Sequence, residues 1–297
     1  MTKGSSGAIS RPGFLYALAA YGTWGFLPLY FKAVDYIPPV EMLVHRIIWS
    51  VPFALLVIAA QRRLGELGAL FRNRHVVVMM VVTALLISVN WVLYIWAISV
   101  NITSETALGY YINPLITVVL GYAFLGEKFT RLQAIAVFIA ALAVLIRTVA
   151  GGVFPWLALT LAISFAGYGY LRKTVPVGPT QGFLMEVIIL LPFALAYLGW
   201  LSYSGTNHFT FSTSVGPWLM LAGPVTAIPL ILYSFGAKLL PLSILGLMQY
   251  IAPSLIFLIS FLVFKEQMGF WQGVTFAMIW FALALYSWSL FRSQKSG

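Results

Sequence analysis

The sequence predicts an all-α membrane protein with ten transmembrane helices in two inverted five-helix repeats. Three observations support this fold class: the composition, an internal duplication and the distribution of basic residues. Of the 297 residues, 61% are hydrophobic and only 8% are charged. Soluble domains carry about 25% charged residues, so this chain has too little polar surface for a water-soluble globule. We therefore expect a polytopic membrane protein without a separate soluble domain.

The internal duplication is centred on residues 108–127. When the chain is shifted by 139 residues, five different residue types keep one register, and the string PFAL at 52–55 recurs at 192–195. A register held by unlike residue types indicates two copies of one unit, which we place at 1–150 and 151–297. The matched pairs are Tyr111 with Tyr250, Ile112 with Ile251, Pro114 with Pro253, Glu127 with Glu266, and Gln133 with Gln272.

Ten apolar runs are long enough to cross the hydrocarbon core, since about 20 residues suffice for a helix. The first, 14–34, is too long for a signal-peptide core and lacks a convincing cleavage site. Five crossings per half is an odd number, so the second copy enters the membrane from the opposite side and the repeats are inverted. The other runs are 40–60, 76–98, 104–125, 131–149, 153–171, 181–201, 216–236, 242–263 and 270–291.

Basic residues set the orientation of these runs. With a cytoplasmic amino terminus, thirteen Lys and Arg fall on the cytoplasmic side, Arg172 among them, and only Lys32, Arg147 and Lys265 fall outside. This asymmetry predicts that both termini are cytoplasmic. The net charge of +10 therefore indicates membrane orientation, and no nucleic-acid partner is expected. The absence of cysteine removes disulfides and thiolate metal sites, and we expect no metal or cofactor.

Two equivalent prolines, Pro114 and Pro253, fall inside predicted spans as candidate helix breaks. Each removes a backbone donor, and in hydrocarbon a freed carbonyl needs a partner from neighbouring helices or cavity water. Paired breaks in two halves thus indicate a cavity near the membrane midplane. The alternative is that they are harmless bends in packed helices.

Five strings carry a resemblance to a known family. They are WGFLPLYFK at 24–32, EMLVHRIIWS at 41–50, NWVLYIW at 90–96, GYYINP at 109–114 and QYIAP at 249–253. These strings resemble the RarD family of EamA-type permeases in the drug/metabolite transporter superfamily, and the resemblance covers nearly the whole chain. It implies a secondary carrier of the bacterial inner membrane with a central pathway between spans 1–4 and 6–9. It also implies that spans 5 and 10 serve packing or form a homodimer contact, and it suggests drugs such as chloramphenicol as cargo.

Ionisable groups inside spans are the sharpest functional signal, because a charge at the bilayer centre costs about 2.5–3.5 kcal/mol on insertion scales. Arg46 lies in span 2, and a shift of 140 places Glu186 at the equivalent depth of span 7. Inversion puts the two at different depths, so we expect separate roles: Arg46 as an anion or carboxylate contact, Glu186 as a cation or proton contact. The alternative is that local polar groups satisfy each one.

Three further ionisable residues are candidates, each with a structural alternative. Glu41 and His45 share a helix face. His45 is either a proton acceptor or a packing group. Glu41 is either a coupling group or a complement to the positive helix terminus. Glu105 follows Ser104 in the first turn of span 4 and is absent from the second copy, which favours function over capping. Glu127 and Glu266 occur in both copies and are interpreted as caps or interfacial ion pairs.

Polar and aromatic side chains within the spans suit a pocket for a partly aromatic or amphiphilic solute. Interhelical hydrogen bonding is the alternative explanation for them. The candidates are Trp24, Asn90, Trp91, Tyr94, Tyr110, Tyr111, Asn113, Tyr233, Gln249 and Tyr250.

Together these features predict a secondary transporter that moves a small organic solute by alternating access, with proton coupling left open. The solute would be a metabolite, an amino-acid-like compound or an amphenicol-type drug. An enzyme is not expected, because the sequence lacks a nucleophile elbow, a zinc-binding HExxH helix and a phosphate-binding loop. A passive channel or facilitator and a membrane scaffold remain as alternatives.

Overall fold

The computed structural model describes residues 10–125, 130–209, 215–239 and 248–295. Throughout these ranges the regular elements are helices, joined by short connections. A 3₁₀ turn, Leu64–Glu66, precedes α3, and a π-helical turn, Ile259–Val263, extends α10. The helices are α1 Arg11–Ala33, α2 Pro39–Ala60, α3 Leu67–Arg72, α4 Arg74–Ser99, α5 Thr103–Leu125, α6 Arg131–Val149, α7 Trp156–Thr174, α8 Pro179–Tyr203, α9 Val215–Leu239, α10 Ile251–Leu258 and α11 Phe270–Lys295.

Each predicted span coincides with a helix, although residues 242–247 of the ninth run lie outside the described residues. The short helix α3 was not anticipated. Large apolar side chains such as Leu56 and Phe193, 70% and 73% exposed, cover the outer surface of the bundle, as expected for contact with lipid. In the described part of the chain, five stretches are long and apolar enough to cross a membrane: Pro39–Ala60, Arg74–Ser99, Arg131–Val149, Pro179–Tyr203 and Val215–Tyr233.

The helix starts follow from local sequence. The Ser10 side chain accepts a hydrogen bond from the amide of Gly13 and caps α1, and Asn73 caps α4 in the same way. Thr130 and Gln133 form a reciprocal capping box at α6. Proline occupies the first turn of α2 and α8, where its missing N–H has no intrahelical partner to lose.

The predicted helix break at Pro114 is wrong, because α5 continues through it without interruption. The helical residues on both sides of Pro114 keep α5 continuous, although the proline supplies no backbone hydrogen-bond donor. Pro253 lies in the first turn of α10, a position that proline tolerates well. Irregular backbone flanks α10 on both sides: a turn at Gln249 and Tyr250 precedes it, and the π-helical turn follows it.

Helices of the two halves pack against each other along most of their length. α1 packs on α9 and α10, α2 on α8 and α9, α4 on α7, and α5 on α7. Gly109 allows a close approach of α5 to α7, since a Cβ there would lie 2.7 Å from the carbonyl oxygen of Ala158. α6 and α11 pack mainly on one another, with Ala136 and Ala140 buried in α6. This arrangement brings α1, α2, α4 and α5 of one half around α7, α9 and α10 of the other.

Candidate functional site

A central cavity lies where the two halves meet, and both contribute to its wall. The cavity is narrow in this conformation, with a volume of about 80 Å³. Its lining is mostly aromatic and aliphatic, with a few polar groups. The lining residues are Tyr21, Trp24, Leu27, Arg46, Ile87, Asn90, Trp91, Tyr94, Tyr110, Phe165, Thr226, Leu230, Gln249, Ala252, Pro253 and Ile256.

Arg46 brings a positive charge from α2 to this wall and is itself only 4% exposed. Its Nε donates a hydrogen bond to the hydroxyl of Thr226 at 2.9 Å. The guanidinium carbon lies 4.3 Å from the ring centroid of Trp91 and 5.2 Å from that of Phe31. These rings offer cation–π attraction but no negative charge. Within the described ranges, no carboxylate lies within ion-pair distance of Arg46, and Nη1 has no hydrogen-bond partner.

Amide side chains tie the cavity helices together. Asn90 of α4 donates to the carbonyl of Leu161 and the hydroxyl of Ser164, both at 3.0 Å, and accepts from Tyr110 of α5 at 3.1 Å. Gln249 donates to the Asn113 side chain at 2.8 Å. Asn113 therefore supports the wall from behind.

Aromatic rings form the face of the cavity on α1 and α4. Trp24 lies 5.6 Å, between ring centroids, from both Tyr21 and Tyr233, so Tyr233 supports Trp24 without lining the cavity. Tyr94 and Tyr110 are 5.8 Å apart on neighbouring helices. The Tyr94 hydroxyl is buried without a hydrogen-bond partner among the described residues. It is therefore available to a bound solute.

Glu186, only 2% exposed, lies behind the cavity wall and has its own cation. Arg172 Nε is 3.8 Å from Glu186 Oε1, and the Tyr168 hydroxyl donates to Oε2 at 3.3 Å. Tyr168 contacts Phe165 of the wall, with 6.0 Å between ring centroids. Arg172, predicted to be a cytoplasmic loop charge, is instead half-buried in the last turn of α7, with its side chain 15% exposed. Gly182 makes this pairing sterically feasible, because a methyl group there would overlap the Arg172 guanidinium.

Glu41 and His45 lie near the start of α2, away from the cavity. The Glu41 carboxylate accepts the backbone N–H of His208 at 2.9 Å and lies 2.7 Å from its Nδ1. The His45 ring packs against Phe209 with 5.2 Å between centroids. Neither ring nitrogen of His45 has a hydrogen-bond partner in the part of the chain that the structure describes.

Two more predicted candidates lie at the start of α5. Glu105 forms an ion pair with Arg147 of α6, which was predicted to lie on the outer side. Glu266 accepts hydrogen bonds from the backbone amides of Thr103 and Ser104 at 2.8 and 2.9 Å. A carboxylate of the second half thus caps a helix of the first. The equivalent residue, Glu127, lies outside the described residues.

Comparisons with known proteins agree with this architecture. The sequence profile of the EamA-like transporter family matches residues 11–149. Protein RarD of Escherichia coli (strain K12) is 42% identical over 287 residues, covering 96% of this chain and 97% of its own. The chain belongs to the RarD family of EamA-like transporters.

Other relatives extend the comparison. An uncharacterized transporter of Bacillus subtilis (strain 168), YojE, is 40% identical and covers 97% of this chain and 98% of its own. The chloramphenicol-sensitive protein RarD of Pseudomonas aeruginosa is 34% identical over 94% and 95% of the two chains. A crystal structure of another protein superposes with a TM-score of 0.60 at 17% identity, covering 92% and 96%, and it shows the fold alone.

Membership of the RarD family makes the chain an integral membrane protein and a transporter rather than an enzyme. Of the candidates predicted from the sequence, the cavity gathers Trp24, Arg46, Asn90, Trp91, Tyr94, Tyr110, Gln249 and Pro253. Those that lie elsewhere are Glu41, His45, Glu105, Tyr111, Asn113, Pro114, Glu186, Tyr233 and Tyr250.

Two predicted residues, Tyr111 and Tyr250, occupy a separate groove at the side of the bundle. Tyr111 shares a hydrogen bond of 2.8 Å with Ser254, and the groove is closed by Trp280 of α11. The 139-residue register matches these two tyrosines, and neither lines the central cavity.

Sequence reasoning missed Tyr21, Phe165 and Thr226 of the wall. Tyr21 precedes Trp24 by three residues and so shares its helix face, a signal that was present. Thr226 is a polar residue within a predicted span. Phe165 is one of 22 phenylalanines, and nothing in its local sequence distinguishes it from those that face lipid.

Proposed function

We propose that this RarD-family member is a secondary transporter of small organic solutes in the bacterial inner membrane, with both termini cytoplasmic. The central cavity carries this proposal. It is walled by both halves and combines an aromatic surface with a buried guanidinium and amides. Sites of this kind, at the interface between repeats, are typical of carriers that work by alternating access.

The packing of the helices supports ten spans in two inverted halves. In the repeat register, α1, α2, α4, α5 and α6 correspond to α7, α8, α9, α10 and α11. In this register the contact between α1 and α9 corresponds to the contact between α7 and α4. The contact between α5 and α7 corresponds to the contact between α10 and α1. Likewise α2 with α9 corresponds to α8 with α4. Such pairing of contacts is expected from a two-fold axis in the membrane plane.

Alternating access requires contacts that close one end of the pathway at a time. At the predicted outer end, three sets of hydrogen bonds join the halves. Glu266 accepts from two α5 amides, Glu41 accepts from the amide of His208, and the Tyr30 hydroxyl donates to the carbonyl of Trp218 at 2.7 Å. We infer that these bonds form the outer gate, and that they separate when the cavity opens outward.

Transport in proteoliposomes tests the proposal. Uptake and efflux are followed for a metabolite mixture and chloramphenicol, with and without a pH gradient, for the unaltered chain, Arg46→Ala and the control Arg74→Gln. Saturable flux that competing solutes inhibit, lost in Arg46→Ala and kept in the control, is the expected result. Flux that does not saturate would indicate a channel, and no flux from folded protein would indicate a scaffold.

Proton coupling is tested in the same vesicles at Glu186. Glu186→Gln should keep solute exchange but lose accumulation driven by the pH gradient. Because this change leaves Arg172 unpaired, the double variant Glu186→Gln/Arg172→Gln is measured beside it. Gradient-driven accumulation that survives in both variants would exclude Glu186 as the coupling group.

A further inference from the structure

We propose that the central cavity selects solutes with one negative charge, a carboxylate above all, on an apolar or aromatic body. The inference rests on the proposed transport function and names the substrate class of its site. Its basis is that Arg46 is the one charged residue on the described cavity wall and is not neutralised there.

The acidic residues are committed elsewhere. The sequence has seven of them, and six lie in the described part of the chain. Each of the six is engaged by a cation or by backbone amides away from the wall. The pairs are Asp35 with Lys32, Glu41 with His208, Glu66 with Arg63, Glu105 with Arg147, Glu186 with Arg172, and Glu266 with the α5 amides. The charge at Arg46 therefore lacks a carboxylate from any of them.

A buried charge without a counter-ion is costly in a medium of low polarity. Thr226 takes one of the five N–H donors of the guanidinium, and the rings of Trp91 and Phe31 compensate only in part. A carboxylate bound in the cavity would accept from the remaining donors and neutralise the site. Arg46 thus favours an anion over a neutral solute of the same shape.

The same wall discriminates against a solute that also carries a positive charge. The oxygen of Asn90 already accepts from Tyr110, and the acceptors left are neutral ones such as the Gln249 amide oxygen. An ammonium group would therefore be buried without a carboxylate partner. Acids are expected to bind better than the corresponding amino acids, and amines worst.

Binding to the purified full-length chain tests this order independently of flux. Four probes share a phenyl body: 3-phenylpropionate, 3-phenylpropanamide, phenylalanine and phenethylamine. Apparent affinities come from thermal stabilisation of the protein in detergent at pH 7. We expect the acid to bind at least about tenfold more tightly than the amide, the preference that a charge-assisted hydrogen bond supplies.

Variants assign the preference to Arg46. Arg46→Gln should bring the acid and the amide to equal affinity, Arg46→Lys should keep part of the difference, and the control Arg74→Gln should keep all of it. Equal binding of acid and amide by the unaltered protein, preference for the amine, or no binding of any probe at millimolar concentration would overturn the proposal. If Arg46→Gln does not fold, the probe series on the unaltered protein decides.

The two proposals fail separately. Binding of the acid without flux would refute transport and retain the charge preference. Saturable flux of neutral or cationic solutes, with no preference for the acid, would refute the charge preference and retain transport.

Discussion

Arg46 and Glu186 are matched by the 140-residue sequence register and are both buried, yet their surroundings differ. Arg46 lines the cavity with no carboxylate near it, whereas Glu186 lies behind the wall with Arg172 and Tyr168. The two positions therefore differ in how their charges are met. One presents its charge to the pathway, and the other neutralises its charge within the protein.

The residue one helical turn earlier explains part of this difference. In the second half it is Gly182, and the missing side chain leaves the space that the Arg172 guanidinium fills. In the first half it is Met42, which is 1% exposed and packs into the core. A glycine admits a counter-ion in one copy, and a methionine occupies the same position in the other.

The largest effect is expected when Glu186 is neutralised. Glu186→Gln leaves the half-buried Arg172 without its carboxylate and should lower the free energy of unfolding by about 3 kcal/mol, the lower end of the range for buried pairs. Thermal unfolding in detergent measures this loss. The double variant Glu186→Gln/Arg172→Gln should recover most of it. If the single variant is as stable as the unaltered protein, the pair contributes nothing and the comparison fails.

Neutralising Arg46 should have the opposite signature. Arg46→Gln removes a charge that already lacks a partner, so stability should change by less than about 1 kcal/mol, since the lost cation–π contact is offset by lower desolvation cost. Solute flux should fall about 30–200-fold, because a buried charge contact to the ligand is lost. Parallel measurements of unfolding and initial uptake rate separate the two effects. A large loss of stability would show that Arg46 is a structural residue.

A smaller effect is expected at the glycine that accommodates Arg172. Gly182→Ala should displace the guanidinium from Glu186 and destabilise the protein by about 1–3 kcal/mol, the range for overpacking. The matched change Met42→Ala removes core volume without touching Arg172. In a double-mutant cycle Gly182→Ala should couple with Arg172→Gln, whereas Met42→Ala should not. If Met42→Ala couples with Arg172→Gln as strongly as Gly182→Ala does, the role given to Gly182 is wrong.

The smallest effect is expected at Glu66, an exposed carboxylate that also contacts α8. Hydrogen bonds from Arg63, and to a lesser extent from Gln181, lower the pKa of Glu66 below its ordinary value. Its contribution to stability is therefore present above the unfolded pKa and is lost as the pH falls through the lower folded pKa. Glu66→Gln should leave unfolding at pH 7 nearly unchanged, because exposed ion pairs contribute little. If Glu66→Gln lowers the free energy of unfolding as much as Glu186→Gln does, buried and exposed carboxylates do not differ in this protein.

Much of the fold could be predicted from the sequence because hydrocarbon imposes a simple rule: each spanning segment needs about 20 apolar residues. The helix bounds accordingly agree with the predicted runs. The cavity residues on α4 could be predicted for a related reason, since Asn90, Trp91 and Tyr94 are polar or amphipathic groups within a long apolar helix.

The partners of the charged residues could not be predicted. Glu105 meets Arg147, and Glu186 meets Arg172, through contacts between different helices that no local period encodes. The charge count used for orientation placed Arg147 on the outer side and Arg172 in a cytoplasmic loop. In the structure Arg147 is buried and Arg172 is half-buried, and each is part of an ion pair. The capping of α5 by Glu266 was likewise hidden, because the register relates Glu266 to Glu127 and gives no information on which helix it contacts.

The unpaired guanidinium in the cavity has an electrical consequence. A site that is positive when empty and neutral when it holds an anion responds to the membrane potential only in its empty state. Each elementary charge moved across 100 mV corresponds to about 2.3 kcal/mol. The voltage would then act on the return of the empty carrier, and exchange of one anion for another would proceed with little dependence on it.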